Sequence, residues 1–540
     1  MIKVAYRAGV HIGEPAAEDD DLLLRGCFVE MSAHDQLVDM ETSKCILLGR
    51  TGSGKSALFR YIEQQQERTI RVDPMEFAFD YIANSNVISF VVELGCDLHV
   101  LFEYLWKHVL LCKAVKCYFD NRSAFDSIVD RFSGRTDAET YFQKYKDTFW
   151  ISQAERMREV SEGFESSLNS QLRGVVGPDI AKIEAGLGST LKVTDDQKRQ
   201  IEFRVKKAVS DIQIRELQSA IASVDEMFGL NSQRHHFILI DDLDSDWTET
   251  RLKYQLIRSL MESVKHFRKV RKVKVLVSLR SDVYEKSIFS IRGEGYQPEK
   301  YKGMLAHIRW TEDGLKRVLD LRVNQVFKSV YTKSNVTAAD VLPPKMRKAD
   351  ATHYILERTL FRPRDAIAFF NEILDHAAGS SEVTEKRVSL AEGDYSRNRY
   401  EALIREWSSV HPNCAVYLRV LQGRTGRFAH TDLATKEIVD DMCLELEEHI
   451  GDRGRLDAVE DACRLYSKRQ TDQRRNAVIT HLLSTLYKMG AISLKPTKGD
   501  HFRVCYLNES DIIAEQITTD AAAEVVPMLW RTLGITPNIG

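Results

Sequence analysis

Cys45-Ile46-Leu47-Leu48 runs straight into Gly49-Arg50-Thr51-Gly52-Ser53-Gly54-Lys55-Ser56, and that into Ala57-Leu58-Phe59-Arg60-Tyr61-Ile62. Four apolar residues suit a buried strand, the octet fits G-x-x-x-x-G-K-[ST], and the last stretch has helical spacing. Strand, glycine loop and helix in this order make a cradle for phosphate groups. Gly52 and Gly54 let backbone N–H groups curl around an anion, and the helix N-terminus adds its dipole. In that reading Lys55 reaches the β and γ phosphates of a nucleotide and Ser56 ligates Mg²⁺. The candidate phosphate-binding set is Gly49, Arg50, Thr51, Gly52, Ser53, Gly54, Lys55, Ser56 and Ala57. The competing reading is a glycine turn with a surface lysine. Gly174, Gly177, Gly186 and Gly188 lack a lysine at the right offset and read as turns.

Working outward, Phe237-Ile238-Leu239-Ile240 is a second apolar run, and it ends in Asp241-Asp242-Leu243-Asp244. Such a run suits a strand of a parallel sheet covered on both faces, and ligands bind at the carboxyl ends of those strands. Asp241 is the candidate for the Mg²⁺ site, and Asp242 for orienting or deprotonating an attacking water. Alternatively these carboxylates only begin a turn or cap the following helix. A third run, Val273 to Leu279, ends in Arg280-Ser281-Asp282. Ser278 or Arg280 is the candidate γ-phosphate sensor, the Arg280 guanidinium being suited to polyphosphate; the alternative for Arg280 is a pair with Asp282 or another acid nearby.

The expected strands are 45–48, 69–72, 237–240, 273–279 and 305–310, alternating with helical patterns, which gives a doubly wound α/β core. About 160 residues separate the second strand from the third, too many for a loop, so a helical insertion is expected over about 75–232. Within it Leu101, Tyr104, Leu105, His108 and Val109 fall on one helical face. Thr311 can cap a helix whose Leu315, Val318 and Leu319 point inward. The division expected is a core over 1–310, a helical lid over 311–378, a linker over 379–398 and a C-terminal domain over 399–540. In the last, a helix ending at Gly490 precedes Ile492–Leu494 and Phe502–Leu507, which read as a β-hairpin. Helix then hairpin gives a winged-helix-like domain.

The 540 residues carry 76 Lys plus Arg against 79 Asp plus Glu, so a net charge of -3 excludes a molecule-wide basic field. Any polyanion site must be local. Arg464, Lys468, Arg469, Arg474, Arg475, Lys495 and Lys498 form one such set, read either as a DNA contact or as solvated helix faces. Lys265 to Lys274 reads as a solvated helix end. Nine Cys without a Cys-x-x-Cys pair describe neither a disulfide scaffold nor a zinc ribbon. No signal-peptide core is present, and the apolar stretch 98–115 holds too many charges for a membrane span. The expectation is a cytoplasmic protein that does not enter membranes.

Taken together these motifs resemble the P-loop ATPases of the AAA+ and STAND type, most of all prokaryotic members with a KAP-like D-D-L-D strand. The resemblance makes Gly49–Ser56 the Walker A motif and Asp241–Asp244 the Walker B motif, and it puts Arg280 at the end of the sensor-1 strand. Thr359-Leu360-Phe361-Arg362-Pro363-Arg364-Asp365 resembles the start of a sensor-2 helix, which aims Arg364 at the nucleotide; an ion pair of Arg364 with Asp365 or Glu372 is the alternative. What the resemblance implies is ATP and Mg²⁺ as cofactors, slow hydrolysis, and a switch acting through a homo-oligomer or a separate effector protein. The tracts from Ile12 and from Lys300 are similar to a bacterial branch often found beside antiviral defence genes. A DNA-binding initiator or loader is the competing reading. Arg292, Arg309 and Arg322 are the candidates to act across a subunit interface.

Overall fold

Unbroken apolar runs become the strands of one sheet because side chains on both of their faces leave water. The computed structural model describes residues 4–74, 85–119, 141, 153–210, 214–229, 235–245, 250–289, 299–408, 410–450, 456–506 and 512–537. Its main sheet holds β1 (Ile46–Gly49), β2 (Thr69–Val72), β3 (His236–Ile240), β4 (Val273–Arg280) and β5 (Leu305–His307). The order is β2-β3-β4-β1-β5 and every neighbouring pair is parallel. β1 and β3 are buried throughout and β4 up to its last residue, as expected for a parallel sheet covered on both faces. The fifth strand stops at His307, short of the expected Trp310.

The chain divides into two compact units, one of residues 30–50 and 55–308, the other of 1–29, 51–54 and 309–540. The first contains the sheet together with α1 (Lys55–Gln65), α2 (His99–Tyr118) and α3 (Thr250–Phe267). The described parts of the 75–232 segment are helical, in agreement with the spacing. A one-sided apolar face on α2 was the expectation, yet the helix is buried on nearly every side. Its Trp106 indole donates to the Leu256 carbonyl of α3 at 2.8 Å, and buried Lys107 is neutralised by Glu103 at 2.6 Å. Burial of a charge is tolerable only with such a partner.

The second unit holds α4 (Glu312–Val330), α5 (Pro363–Ala377), α6 (Glu385–Trp407), β6 (Arg427–Ala429), α7 (Ala458–Lys468), α8 (Asp472–Met489), β7 (Ile492–Lys495) and β8 (Ala522–Val525). Thr311 caps α4 by accepting from the Gly314 N–H. The expected linker at 379–398 is not a linker. After a turn at Gly379, Thr384 caps α6, which runs without interruption through Asn398. Two of its acidic residues reach partners outside the helix: Asp394 meets His376 of α5 at 2.9 Å, and Glu392 is buried among arginines. Glu392 binds Arg358 at 2.7 Å and Arg399 binds Asp365 at 2.8 Å, all four largely buried. Phe369 of α5 stacks on Tyr395 of α6 with ring centroids 4.4 Å apart.

The hairpin expected from Ile492–Leu494 and Phe502–Leu507 also takes a different form. β7 pairs antiparallel with β8, which in turn pairs with β6; 502–506 contributes only a lone Leu494–Arg503 bridge. Leu507 lies outside the described residues. Ala522-Ala523-Glu524-Val525 has little intrinsic strand preference. It becomes a strand because Ala523 and Val525 reach a buried face.

Candidate functional site

β1 delivers the chain to the loop, and α1 begins at Lys55 itself. Between them Gly52 and Gly54 have φ of 75° and 95°, in the left-handed region where a side chain is strained. The turn is therefore open to glycine at both positions for backbone reasons alone. Lys55 Nζ donates to the Arg50 carbonyl at 3.2 Å, so the ammonium folds back over its own loop. Thr51 Oγ1 and Ser53 Oγ are buried with no hydrogen-bond partner among the described residues. Two orphaned hydroxyls in one turn are unusual, because buried polar groups are nearly always satisfied.

Two further residues hold the tip of this loop. The Trp310 indole donates to the Ser53 carbonyl at 2.8 Å. Arg364, the second residue of α5, donates its backbone N–H to the Gly52 carbonyl at 3.4 Å. Its Cβ and Cδ lie 3.0 and 3.1 Å from where a Cβ on Gly52 would stand. The Arg364 guanidinium donates to the Pro15 carbonyl at 3.3 Å. Pro363 opens α5 as expected, and two left-handed residues, Leu360 (φ 48°) and Phe361 (φ 53°), precede it closely. Trp310, the last residue of the expected fifth strand, carries no charge and gives no sign of this contact in the sequence.

Asp241 and Asp242 follow β3 directly. The strand order puts β4 between β3 and β1, so the aspartates stand two strands from the loop strand, about 10 Å at ~4.8 Å per strand. Asp241 is buried and meets Arg71 of β2 at 3.4 Å. Arg71 was not anticipated; an arginine inside the otherwise apolar run Thr69-Ile70-Arg71-Val72 was the available signal. Asp242 is exposed, at φ 58°, a conformation aspartate tolerates better than most residues. Its carbonyl accepts from the Ser245 N–H and hydroxyl at 3.1 and 2.6 Å.

β4 is the immediate neighbour of β1, and Gly49 is in register with Arg280. Arg280 grips Asp282 with two parallel bonds, 2.9 and 3.0 Å, and lies 3.5 Å from Asp244. Both sequence readings of Arg280 thus have a geometric counterpart: proximity to the loop strand and the pair with Asp282. Of the three arginines considered for a role in trans, Arg322 is buried against Asp20 and the Ile12 carbonyl and is not presented to a partner. Arg309 is exposed and Arg292 lies outside the described residues.

The donor set suits a magnesium nucleotide: a left-handed glycine turn, a helix start, a lysine and a hydroxyl at Ser56, with carboxylates at the carboxyl edge of the same sheet. The basic set in 464–475 is partly neutralised, with Arg464 on Asp461 at 2.6 Å, Arg475 on Asp472 at 2.9 Å and Arg474 donating to the Leu465 carbonyl. Among the described residues no helix is long and apolar enough to cross a membrane.

Residues 313–404 match the family described as the FunZ-associated C-terminal helical domain. The match covers α4 through most of α6, so it treats the expected lid and linker as one helical segment. The chain is 22% identical over 414 residues to the Escherichia coli (strain K12) protein called "Putative transposon gamma-delta 80.3 kDa protein", over 75% of this chain. It spans about half, 52%, of that relative's length. A Walker-type ATPase of Pyrococcus abyssi is similar at 12% identity and a TM-score of 0.36, over 91% of this chain and 95% of the other. A likeness that slight carries no argument, and the α/β assignment rests on this protein's own sheet order and loop.

Proposed function

We propose that the protein binds and hydrolyses ATP with Mg²⁺ and works as a nucleotide-dependent switch. The observation that carries the reading is the pair of left-handed glycines, Gly52 and Gly54, in a turn between a buried parallel strand and a helix that starts at Lys55. Gly49 to Ala57 hold the phosphates, and Lys55 supplies the positive charge. Ser56 and Asp241 hold the metal, which neutralises phosphate charge when bound. Asp242 orients water; being one methylene shorter than glutamate, it gives slow turnover. Arg280, at the end of the strand beside β1, senses the γ phosphate after exchanging its bond to Asp282. Arg364, through its contact with Gly52, conveys loop geometry to α5.

In this reading the output is assembly with further copies or control of an effector protein, and the defence context comes from the resemblance alone. The second reading is a DNA-contacting ATPase using residues 399–540 as a winged helix; α8 followed by antiparallel strands favours it, as does the transposon origin in the relative's name. Calorimetry with ATP, phosphate release and mass photometry on wild type and Lys55→Ala test the first reading. ATP is expected to bind the wild type and to shift its mass distribution or partner binding. Lys55→Ala should lose about 2 kcal/mol, roughly thirty-fold in affinity, with its melting temperature unchanged. A wild type that takes up no nucleotide overturns the proposal.

A further inference from the structure

The amino-terminal edge of the parallel sheet, opposite to the edge that carries the glycine loop, holds a cavity of 550 Å³. Its walls are the segment 40–43 before β1, the turn 268–272 after α3, His235 before β3, and the start of β4. The charged residues lining it are Arg268, Arg271, Lys272 and Lys274, with Glu41 as the single carboxylate. Arg268, Lys269 and Lys272 form no ion pair with any described residue, and Arg268, Lys269 and Arg271 are exposed. This contrasts with the 464–475 set, in which Arg464 and Arg475 are paired with Asp461 and Asp472 of their own helices. Arg268, Lys269 and Lys272 together, on a chain with net charge -3, make a local field and not a by-product of composition.

The pocket is also pre-formed. Lys274 is buried in the floor, and its ammonium donates to the Asp39 carbonyl, to Thr42 Oγ1 at 3.2 Å and to the Gln36 carbonyl at 3.4 Å. Thr42 donates to the Gln36 carbonyl at 2.7 Å, and Ser43 to the Gly303 carbonyl at 2.7 Å. The 40–43 wall is thereby fixed before any ligand arrives, which lowers the ordering cost of binding. Lys274 is a tether, leaving Arg268 and Lys272 to face the ligand, with Arg271 beside them in the lining. No Phe, Tyr or Trp lines the cavity, so it offers phosphates partners and bases no stacking platform.

We propose that this edge binds the phosphodiester backbone of a nucleic acid strand, without sequence preference. The backbone is favoured over a free oligophosphate because the cations do not stop at the cavity: Arg268, Lys269 and Arg271 continue onto the open surface, a track for successive phosphates. The site is independent of the nucleotide loop, so it stands or falls separately from the ATPase reading.

The test is fluorescence anisotropy of a short labelled single-stranded DNA against the full chain, without ATP, over a range of salt concentrations. Binding is expected with a log–log salt slope of about -2 to -3, three or four phosphates at ~0.7 each. Arg268→Glu/Arg271→Glu should weaken it at least about ten-fold and flatten the slope by about one. Lys269→Glu, fully on the surface, should weaken it less, with unchanged thermal melting. Lys55→Ala should bind as wild type. The proposal is overturned if the double variant binds DNA like wild type, or if Arg464→Glu/Lys468→Glu abolishes binding in its place. It is equally overturned if inorganic tripolyphosphate binds this pocket while DNA does not.

Discussion

The tip of the glycine loop and the interface that α6 makes around Glu392 both remove polar groups from water, in opposite ways. At the interface Glu392 accepts from Arg358 Nε at 2.7 Å, Tyr354 Oη at 2.8 Å and Arg531 Nε at 3.2 Å, and Tyr395 Oη donates to the Arg358 carbonyl. Every one of these charges and hydroxyls is answered by the chain itself. In the loop, Thr51 Oγ1 and Ser53 Oγ are buried and unanswered. The first pattern holds helices together. The second leaves hydroxyls that a bound phosphate would satisfy in the proposed function.

The largest effect that would sharpen this contrast is expected from Glu392→Ala. It strands the buried Arg358 and should cost about 3–5 kcal/mol in urea unfolding, while the protein that remains folded keeps its nucleotide affinity. Gly52→Ala comes next. A left-handed alanine costs about 1–2 kcal/mol, and its Cβ would press on Arg364 at 3.0 Å; calorimetry should show the stability loss together with impaired phosphate release. If Gly52→Ala left release intact, the loop would not be a phosphate cradle. Thr51→Val is smaller and has the opposite signature. Removing an unsatisfied hydroxyl should leave stability unchanged or raise it by up to about 1 kcal/mol, while ATP binding weakens. An equal loss in both quantities would erase the distinction between loop and interface.

The smallest effect concerns a group that belongs to neither class. Lys274 is satisfied by oxygen acceptors but sits in a partly apolar floor, and burial pulls its pKa from 10.5 down to about 8. Between those two pH values the unfolded chain holds the proton that the folded chain has released, so this residue's contribution to stability rises with pH across the window; below about 8 its penalty is constant. Cys45, pushed up to about 12 by burial, acts in the reverse sense as pH climbs past the thiol range. Comparing wild type with Lys274→Met isolates the lysine: the variant's urea midpoint should gain less between pH 8 and pH 10.5 than the wild type's. An identical pH dependence would show that the ammonium stays protonated in the fold.

Much of the first unit was legible because its signals are local. An apolar run ending in glycines with a lysine at a fixed offset can be met with few backbone paths, and the strands at 69–72, 237–240 and 273–279 are continuous runs that do not need a neighbour to be recognised. Arg71 and Trp310 were missed because their partners, Asp241 and the Ser53 carbonyl, are 170 and 257 residues away in sequence. In the second unit 379–398 was legible only as a linker for the same reason: Glu392 and Asp394 find their counterparts, Arg358 and His376, in other segments. Ala522–Val525 carries almost no strand signal until a sheet edge is there to receive it.

The sequence alone determined the strand, loop and helix around Lys55, since glycine torsions and apolar periodicity act over a few residues and need no distant contact. Tertiary structure alone decided that β4, and not the aspartate-bearing strand, lies beside the loop strand. It also decided that α6 is a packed helix and that Arg464 and Arg475 are paired with aspartates while Arg268 forms no ion pair with any described residue. Charges take their meaning from what stands opposite them, and only the fold brings those partners within reach.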